Sequence, residues 1–235
     1  LLFIGLRPVH GVFVDMTRYA NTFSRYQSGW VSEGINDPLY AIYLIVTSKF
    51  LTVKLYFLLC ATIYIFPMYK VSKIWFKKYW FYAFLLFISS FSFWSYGTNG
   101  IRNGMATSLF LLALSRKKKI NQVILILLAL GFHFSVIIPT VGLIISSLHN
   151  RPRKFLIFWL LSIPVSFFSG SFFNTFFANL TFIEDERLSY FTDTKYLDYF
   201  SSSGFRIDFL IYGSVAIFMG WYYIYKRGFN DKFYM

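Results

Sequence analysis

Nine residues, Tyr96-Gly97-Thr98-Asn99-Gly100-Ile101-Arg102-Asn103-Gly104, set one guanidinium among amides and glycines between two long apolar runs. A guanidinium is a planar, permanently charged fork, amides donate to anionic oxygens, and glycines let a ligand approach the backbone. Together they suit an oxyanion, and a helix starting near Asn99 would add partial positive charge. Snorkelling of a helix-end arginine is the plain alternative, but it has no need of such surroundings. Two other segments repeat the theme. Gly5-Leu6-Arg7 is followed by Asp15 and Tyr19, and Ser201-Ser202-Ser203-Gly204-Phe205-Arg206-Ile207-Asp208 carries Arg206 and Asp208. His133 stands inside an apolar stretch, and an imidazole with an ordinary pKa of about 6.5 can take a proton at neutral pH. His10 and His149 have no comparable setting, and Glu184-Asp185-Glu186-Arg187 reads as a solvated charge run.

The elements that must hold these groups are apolar helices. Hydrophobic residues make up 57% of the chain, aromatic residues 23% and charged residues only 14%, which exceeds the apolar content of ordinary globular domains. The expected fold is all-α, a polytopic integral membrane helical bundle. The net charge of +13 resolves by side. Lys70, Lys73, Lys77, Lys78, Arg116, Lys117, Lys118, Lys119, Arg151, Arg153, Lys154, Lys226, Arg227 and Lys232 fall on one side with Asp231, and the other basic and acidic residues cancel. That bias marks a cytoplasmic face and gives no nucleic-acid patch. Cys60 lies alone in an apolar run, which excludes a disulfide framework or a thiolate metal site.

With the cationic loops inside, parity sets the path. Residues 1–6 end a span, and their beginning without a basic leader reads as a fragment lacking flanking spans, within a single transmembrane domain over 1–235. Residues 7–37 form an outer loop, and 39–49 lie at the interface or dip in and return. Residues 52–69 cross inward, 80–96 outward, 99–115 inward and 155–169 outward. Residues 172–182 lie at the interface, 183–206 form a second extracytoplasmic loop, and 207–225 return inward. Trp and Tyr near several ends match an interfacial belt. Residues 121–132 and 135–148 would be helices of about 18 and 21 Å, too short for a hydrocarbon core of about 30 Å. They must meet as half-spanning or re-entrant helices at His133, where irregular backbone requires protein packing or a wet cavity.

The residues from Tyr96 to Leu114 resemble the signature of the EpsG family of Wzy-type polysaccharide polymerases. Gly5-Leu6-Arg7, Asp15 with Tyr19, Asp37-Pro38-Leu39-Tyr40, Phe132-His133-Phe134-Ser135 and Gly204-Phe205-Arg206-Ile207-Asp208 follow in the family's order. Where the family often has Gly-x-Asp and Arg-Gln, this chain has Phe13-Val14-Asp15 and Arg102-Asn103. The resemblance implies a GT-C-like glycosyltransferase of the bacterial cytoplasmic (inner) membrane, with its active site facing the periplasm or exterior. Such an enzyme moves a growing glycan from undecaprenyl diphosphate to a lipid-linked repeat unit during O-antigen or exopolysaccharide synthesis. Its partners would be those lipid-linked glycans, membrane lipids and a chain-length regulator, with no nucleic acid.

Displacing a diphosphate from an anomeric carbon builds negative charge that arginines can stabilise. Arg102 and Arg206 suit that role, with Arg7 as a third. His133 is the expected general base and Asp15 the alternative, while Asn99, Tyr19 and Asp208 are expected to bind glycan or diphosphate. No Asp-x-Asp pair or ligand-spaced acidic cluster stands in these segments, so neither a divalent metal nor another cofactor is expected. A flippase would place charges or broken helices near midspan and show related halves, neither of which is legible. A glycan ligase would use the same groups on another acceptor, and a membrane scaffold would need none of them.

Overall fold

A computed structural model describes residues 1–30, 37–149, 151–168 and 207–228. Those residues form helices and turns and, among themselves, no strand. The expected interfacial segment 172–182 and outer loop 183–206, with Arg206, lie outside the described residues. The chain divides into two compact units, Leu1–Leu143 and Ile144–Met235.

In the first unit α1 (Leu2–Leu6) leads to α2 (Val14–Gln27), α3 (Pro38–Phe50) and α4 (Val53–Phe76). A tight turn at Lys77–Tyr79 reverses the chain into α5 (Trp80–Ser89), which packs back on α4. Lys77 takes φ +41°, a left-handed conformation rare for a residue with a Cβ. Then follow α6 (Phe91–Thr98), α7 (Ile101–Leu114), α8 (Lys119–Phe132), a 3-10 turn at Phe134–Val136 and α9 (Ile137–Leu148). The principal packing is α7 against α4 and α8, with α1 laid on α4 and α3 touching α8.

Each boundary has a local cause. Thr52 accepts the Leu55 N–H at 3.4 Å and starts α4. Ser90, extended at φ −71° and ψ 142°, accepts the Phe93 N–H at 3.3 Å and starts α6. The expected single crossing over 80–96 is therefore two helices. Lys70 and Lys73 carry α4 beyond its expected end at 69, because their amines rest over Phe66, Tyr69 and Trp80 rather than ending the helix. At Gly5 a Cβ would stand 2.8 Å from Leu58 Cα, and at Gly131 it would stand 2.7 Å from Leu39 Cβ. Those two glycines let α1 meet α4 and α8 meet α3.

The segment 7–37, expected as a loop, contains the 14-residue α2. Met16, Ala20, Phe23 and Tyr26 recur at helical spacing and are buried, while Arg18 and Arg25 point outward. The core beneath is aromatic. Phe23 lies 4.7 Å from Tyr56, Tyr43 lies 5.8 Å from both Tyr56 and Phe132, and the Tyr40 and Tyr56 hydroxyls meet at 2.6 Å.

Among the described residues one continuous helical run, Val53–Ser89, is long and apolar enough to cross a membrane, with a mean hydropathy of 1.4. It contains the Lys77–Tyr79 turn. Pro38–Phe50, Ile101–Leu114, Lys119–Phe132 and Phe134–Leu148 are shorter apolar helices.

The second unit begins within α9 at Ile144 and contains α10 (Pro152–Phe168) and α11 (Ile207–Trp221), the latter running into a π-helical turn at Tyr222–Lys226. Phe158, Leu161, Phe167, Ile211, Tyr212 and Phe218 expose broad apolar faces.

Candidate functional site

Arg102 stands in the first turn of α7, after Gly100 has ended the approach from α6. Its Nη1 donates to Asp37 Oδ2 at 2.9 Å and its Nε donates to the Tyr19 hydroxyl at 3.3 Å. The guanidinium carbon lies 5.3 Å from the Tyr40 ring centre and 5.7 Å from that of Tyr19. Asp37 is completely buried, whereas the Arg102 side chain keeps 25% of its surface exposed. The cation is thus held at both Nη1 and Nε, with aromatic rings about it. Among the described residues no hydrogen bond engages its Nη2.

Asp37 carries a second link. Its Oδ1 accepts the Phe134 N–H at 3.1 Å, which joins the start of α3 to the turn between α8 and α9. Asn103 Oδ1, beside Arg102, accepts from Ser135 Oγ at 3.1 Å and from Thr107 Oγ1 at 3.3 Å. The turn His133-Phe134-Ser135 is therefore tied to both α3 and α7.

His133 ends α8 and begins the 3-10 turn in an extended conformation, φ −161° and ψ 122°. The expected meeting of two short helices at this residue is what the fold contains. Its Nδ1 accepts the Ser135 N–H at 3.2 Å. A ring nitrogen accepting an N–H carries no proton, so neutral His133 holds its proton on Nε2.

Tyr19 belongs to this cluster, as its place in the sequence motif suggested. Burial pushes its phenol above the ordinary value, and the nearby Arg102 charge opposes that rise. The hydroxyl stays protonated at neutral pH and can donate its hydrogen while accepting from Arg102. Asp15 lies one turn earlier on α2, half-buried and on the same face.

The remaining expected residues fall differently. Arg7 Nη2 donates to Thr98 O at 2.9 Å, its Nη1 donates to Ile4 O, and its guanidinium lies 5.3 Å from the Phe13 ring centre. It caps the last carbonyls of α1 and α6. Asn99 ends α6 with its Oδ1 buried and, among the described residues, without a donor. Asp208 is exposed in the first turn of α11 in the second unit. Arg206 lies outside the described residues. No group of three or more His, Cys, Asp or Glu among the described residues could hold a metal.

Sequence reasoning passed over Asp37, Tyr40, Asn103 and Ser135 as members of the cluster. Asp37-Pro38 reads as a helix start, and the signal that it does more was its inclusion with Tyr40 in one of the ordered motifs.

The family model described as EpsG family matches residues 1–235, the whole sequence. The chain belongs to the EpsG family. Nothing among curated proteins or solved structures matches it. EpsG membership implies a glycosyltransferase-like polysaccharide polymerase function and is consistent with a membrane location. Arg102 lies in the segment Tyr96 to Leu114, and its partners Asp37 and Tyr19 come from outside that segment.

Proposed function

We propose that the protein polymerises polysaccharide at the extracytoplasmic face of the bacterial cytoplasmic membrane, as a metal-independent hexosyltransferase embedded as a polytopic bundle. It transfers a growing glycan from undecaprenyl diphosphate to a repeat unit on the same carrier. The observation carrying this reading is the Arg102 guanidinium, oriented by Asp37 and Tyr19 and a quarter exposed, in a chain that the family model matches throughout.

In the reaction an acceptor hydroxyl oxygen attacks the anomeric carbon of the donor glycan. The bond from that carbon to the diphosphate oxygen breaks, and the lipid diphosphate leaves with the electron pair. Arg102 stabilises the charge that develops there, an electrostatic contribution of about 3–4 kcal/mol for one well-placed donor. The Tyr19 hydroxyl donates to a phosphate or sugar oxygen. Arg7 and Asn99 are proposed to line the path of the glycan. The hydroxyl proton goes to His133 once the Ser135 N–H releases Nδ1, or to Asp15. A chain-length regulator is the expected protein partner.

The test is reconstitution of the full-length protein in lipid with purified lipid-linked repeat units, followed by gel analysis of products. A ladder of lengthened glycans that persists in chelator is expected. Transport without new glycosidic bonds, or a strict need for added magnesium or manganese, overturns the reading.

A further inference from the structure

We infer that Asp37 is a positioning residue that couples the anion-binding arginine to the His133 turn, so that the two act as one unit. The inference rests on the polymerase reading for its chemistry and on separate geometry for the coupling.

The first observation is what Asp37 does not do. It occupies the N-cap position of α3 with Pro38 at the first helical position, where an acidic side chain ordinarily accepts an N–H of its own first turn. Asp37 makes no such bond. An asparagine or serine would start the helix equally well without placing a charge in the interior. Helix initiation therefore does not account for a completely buried carboxylate.

The second observation is where its oxygens go. Oδ2 holds Arg102 Nη1 at 2.9 Å, 65 residues away, and Oδ1 holds the Phe134 N–H at 3.1 Å, 97 residues away. A buried carboxylate is costly unless both its charge and its lone pairs are satisfied, and these partners do both. The Phe134 peptide follows His133 directly, and Asn103, next to Arg102, holds the same turn through Ser135. Displacement of the Asp37 carboxylate would loosen the guanidinium and the turn together, leaving the first on Tyr19 and the second on Asn103.

The third observation concerns the ligand edge. Asp37 takes Nη1 and Tyr19 takes Nε, and among the described residues no hydrogen bond takes Nη2, the nitrogen that an arriving phosphate oxygen would meet. Asp37 stays in place when diphosphate binds. Its negative charge weakens attraction of the ground-state anion, while its fixed geometry aims Arg102 at the charge that appears as the leaving group departs. That division favours the transition state over the bound donor.

The test compares the unaltered full-length protein with Asp37→Asn, Asp37→Glu and Asp37→Ala, all in lipid nanodiscs. Farnesyl diphosphate is the binding probe and lipid-linked repeat units are the substrate. Asp37→Asn keeps the shape and an acceptor for the Phe134 N–H while removing the charge. Its kcat should fall about 30- to 100-fold, with farnesyl diphosphate binding equal to or tighter than in the unaltered protein. Added to Arg102→Lys, it should cause less than about threefold further loss, since coupled residues are not additive. Asp37→Glu should recover part of the rate.

Hydrogen exchange of the peptide spanning His133 and Phe134 reads the coupling without turnover and should quicken in Asp37→Ala, which removes the acceptor of the Phe134 N–H. Unchanged exchange, or kcat within threefold of the unaltered protein, overturns the inference. So does a loss of rate, probe binding and melting temperature in proportion, which marks a purely structural residue. If the unaltered protein makes no ladder, the polymerase reading fails, and the exchange result still decides the coupling.

Discussion

The segments around Arg7 and Arg102 begin alike and end in different chemistry. Each presents an arginine near a glycine at the end of an apolar run. Arg7 turns its Nη nitrogens onto the carbonyls of Ile4 and Thr98, where helices α1 and α6 finish. Arg102 meets a carboxylate and a phenol across the fold and keeps a quarter of its surface exposed. The Ile4 and Thr98 carbonyls take both Nη nitrogens of Arg7, while its Nε is buried and, among the described residues, without an acceptor. At Arg102 a buried carboxylate and a flanking phenol hold Nη1 and Nε while part of the side chain remains accessible.

The contrast can be broken experimentally. Arg102→Lys replaces the fork with a point charge and should reduce polymer formation by a factor on the order of 10² or more, read from the product ladder at matched protein levels. Polymer of normal amount and length would remove Arg102 from the chemistry. Gly131→Ala places a methyl 2.7 Å from Leu39 Cβ and should force α8 away from α3, lowering stability by about 1–3 kcal/mol and slowing transfer. Thermal melting together with initial rate checks this outcome, and an unchanged melting point would mean that the helices adjust freely.

Tyr19→Phe removes the acceptor for Arg102 Nε and the free phenolic hydrogen, while keeping the ring beside the guanidinium. A rate loss of roughly tenfold is expected, near the value of one hydrogen bond to a charged group. Because burial raises the Tyr19 phenol, activity in the unaltered protein should show no alkaline decline from this group below its ordinary value of about 10. A Tyr19-dependent alkaline limb at lower pH would contradict that direction. Arg7→Ala should have the smallest effect on the chemistry. It leaves the Thr98 carbonyl without its donor and should cost about 1–3 kcal/mol of stability, with the rate of the folded fraction changed less than threefold. A rate loss as large as that of Arg102→Lys would erase the distinction between the two arginines.

Much of the helical layout was legible because apolar runs are interrupted by charges and glycines at lengths that helices use. The break at His133 could be foreseen from two runs that are each too short to cross a bilayer. The helix α2 was missed although Met16, Ala20, Phe23 and Tyr26 recur at helical spacing, because the stretch around them is polar and reads as a loop between apolar runs. Ser90 was hidden for another reason, as one of four serines, with Ser89, Ser92 and Ser95, in an apolar run, and its role as a cap depends on its backbone angles.

In the site, the Arg102 segment declared itself by composition, and Tyr19 followed from its motif. Asp37 was concealed by a sound local rule. Aspartate before proline starts helices, and nothing nearby in sequence says that its carboxylate serves two distant partners. Arg7 is the complementary case. Its residue type promised ligand chemistry, while the carbonyls that occupy it belong to backbone whose position no side-chain pattern records.

The distance in sequence between Asp37 and Phe134 also sets an order of events during synthesis. Ninety-seven residues separate them, so the acid emerges about 5–20 s before the amide that completes its surroundings. Arg102 arrives between the two. A nascent chain that has not yet reached the end of α8 must shelter a lone carboxylic acid by protonating it or by leaving it in water. The clasp therefore closes late, and ribosome-bound intermediates shorter than this point contain the helices of the first unit without its finished polar centre.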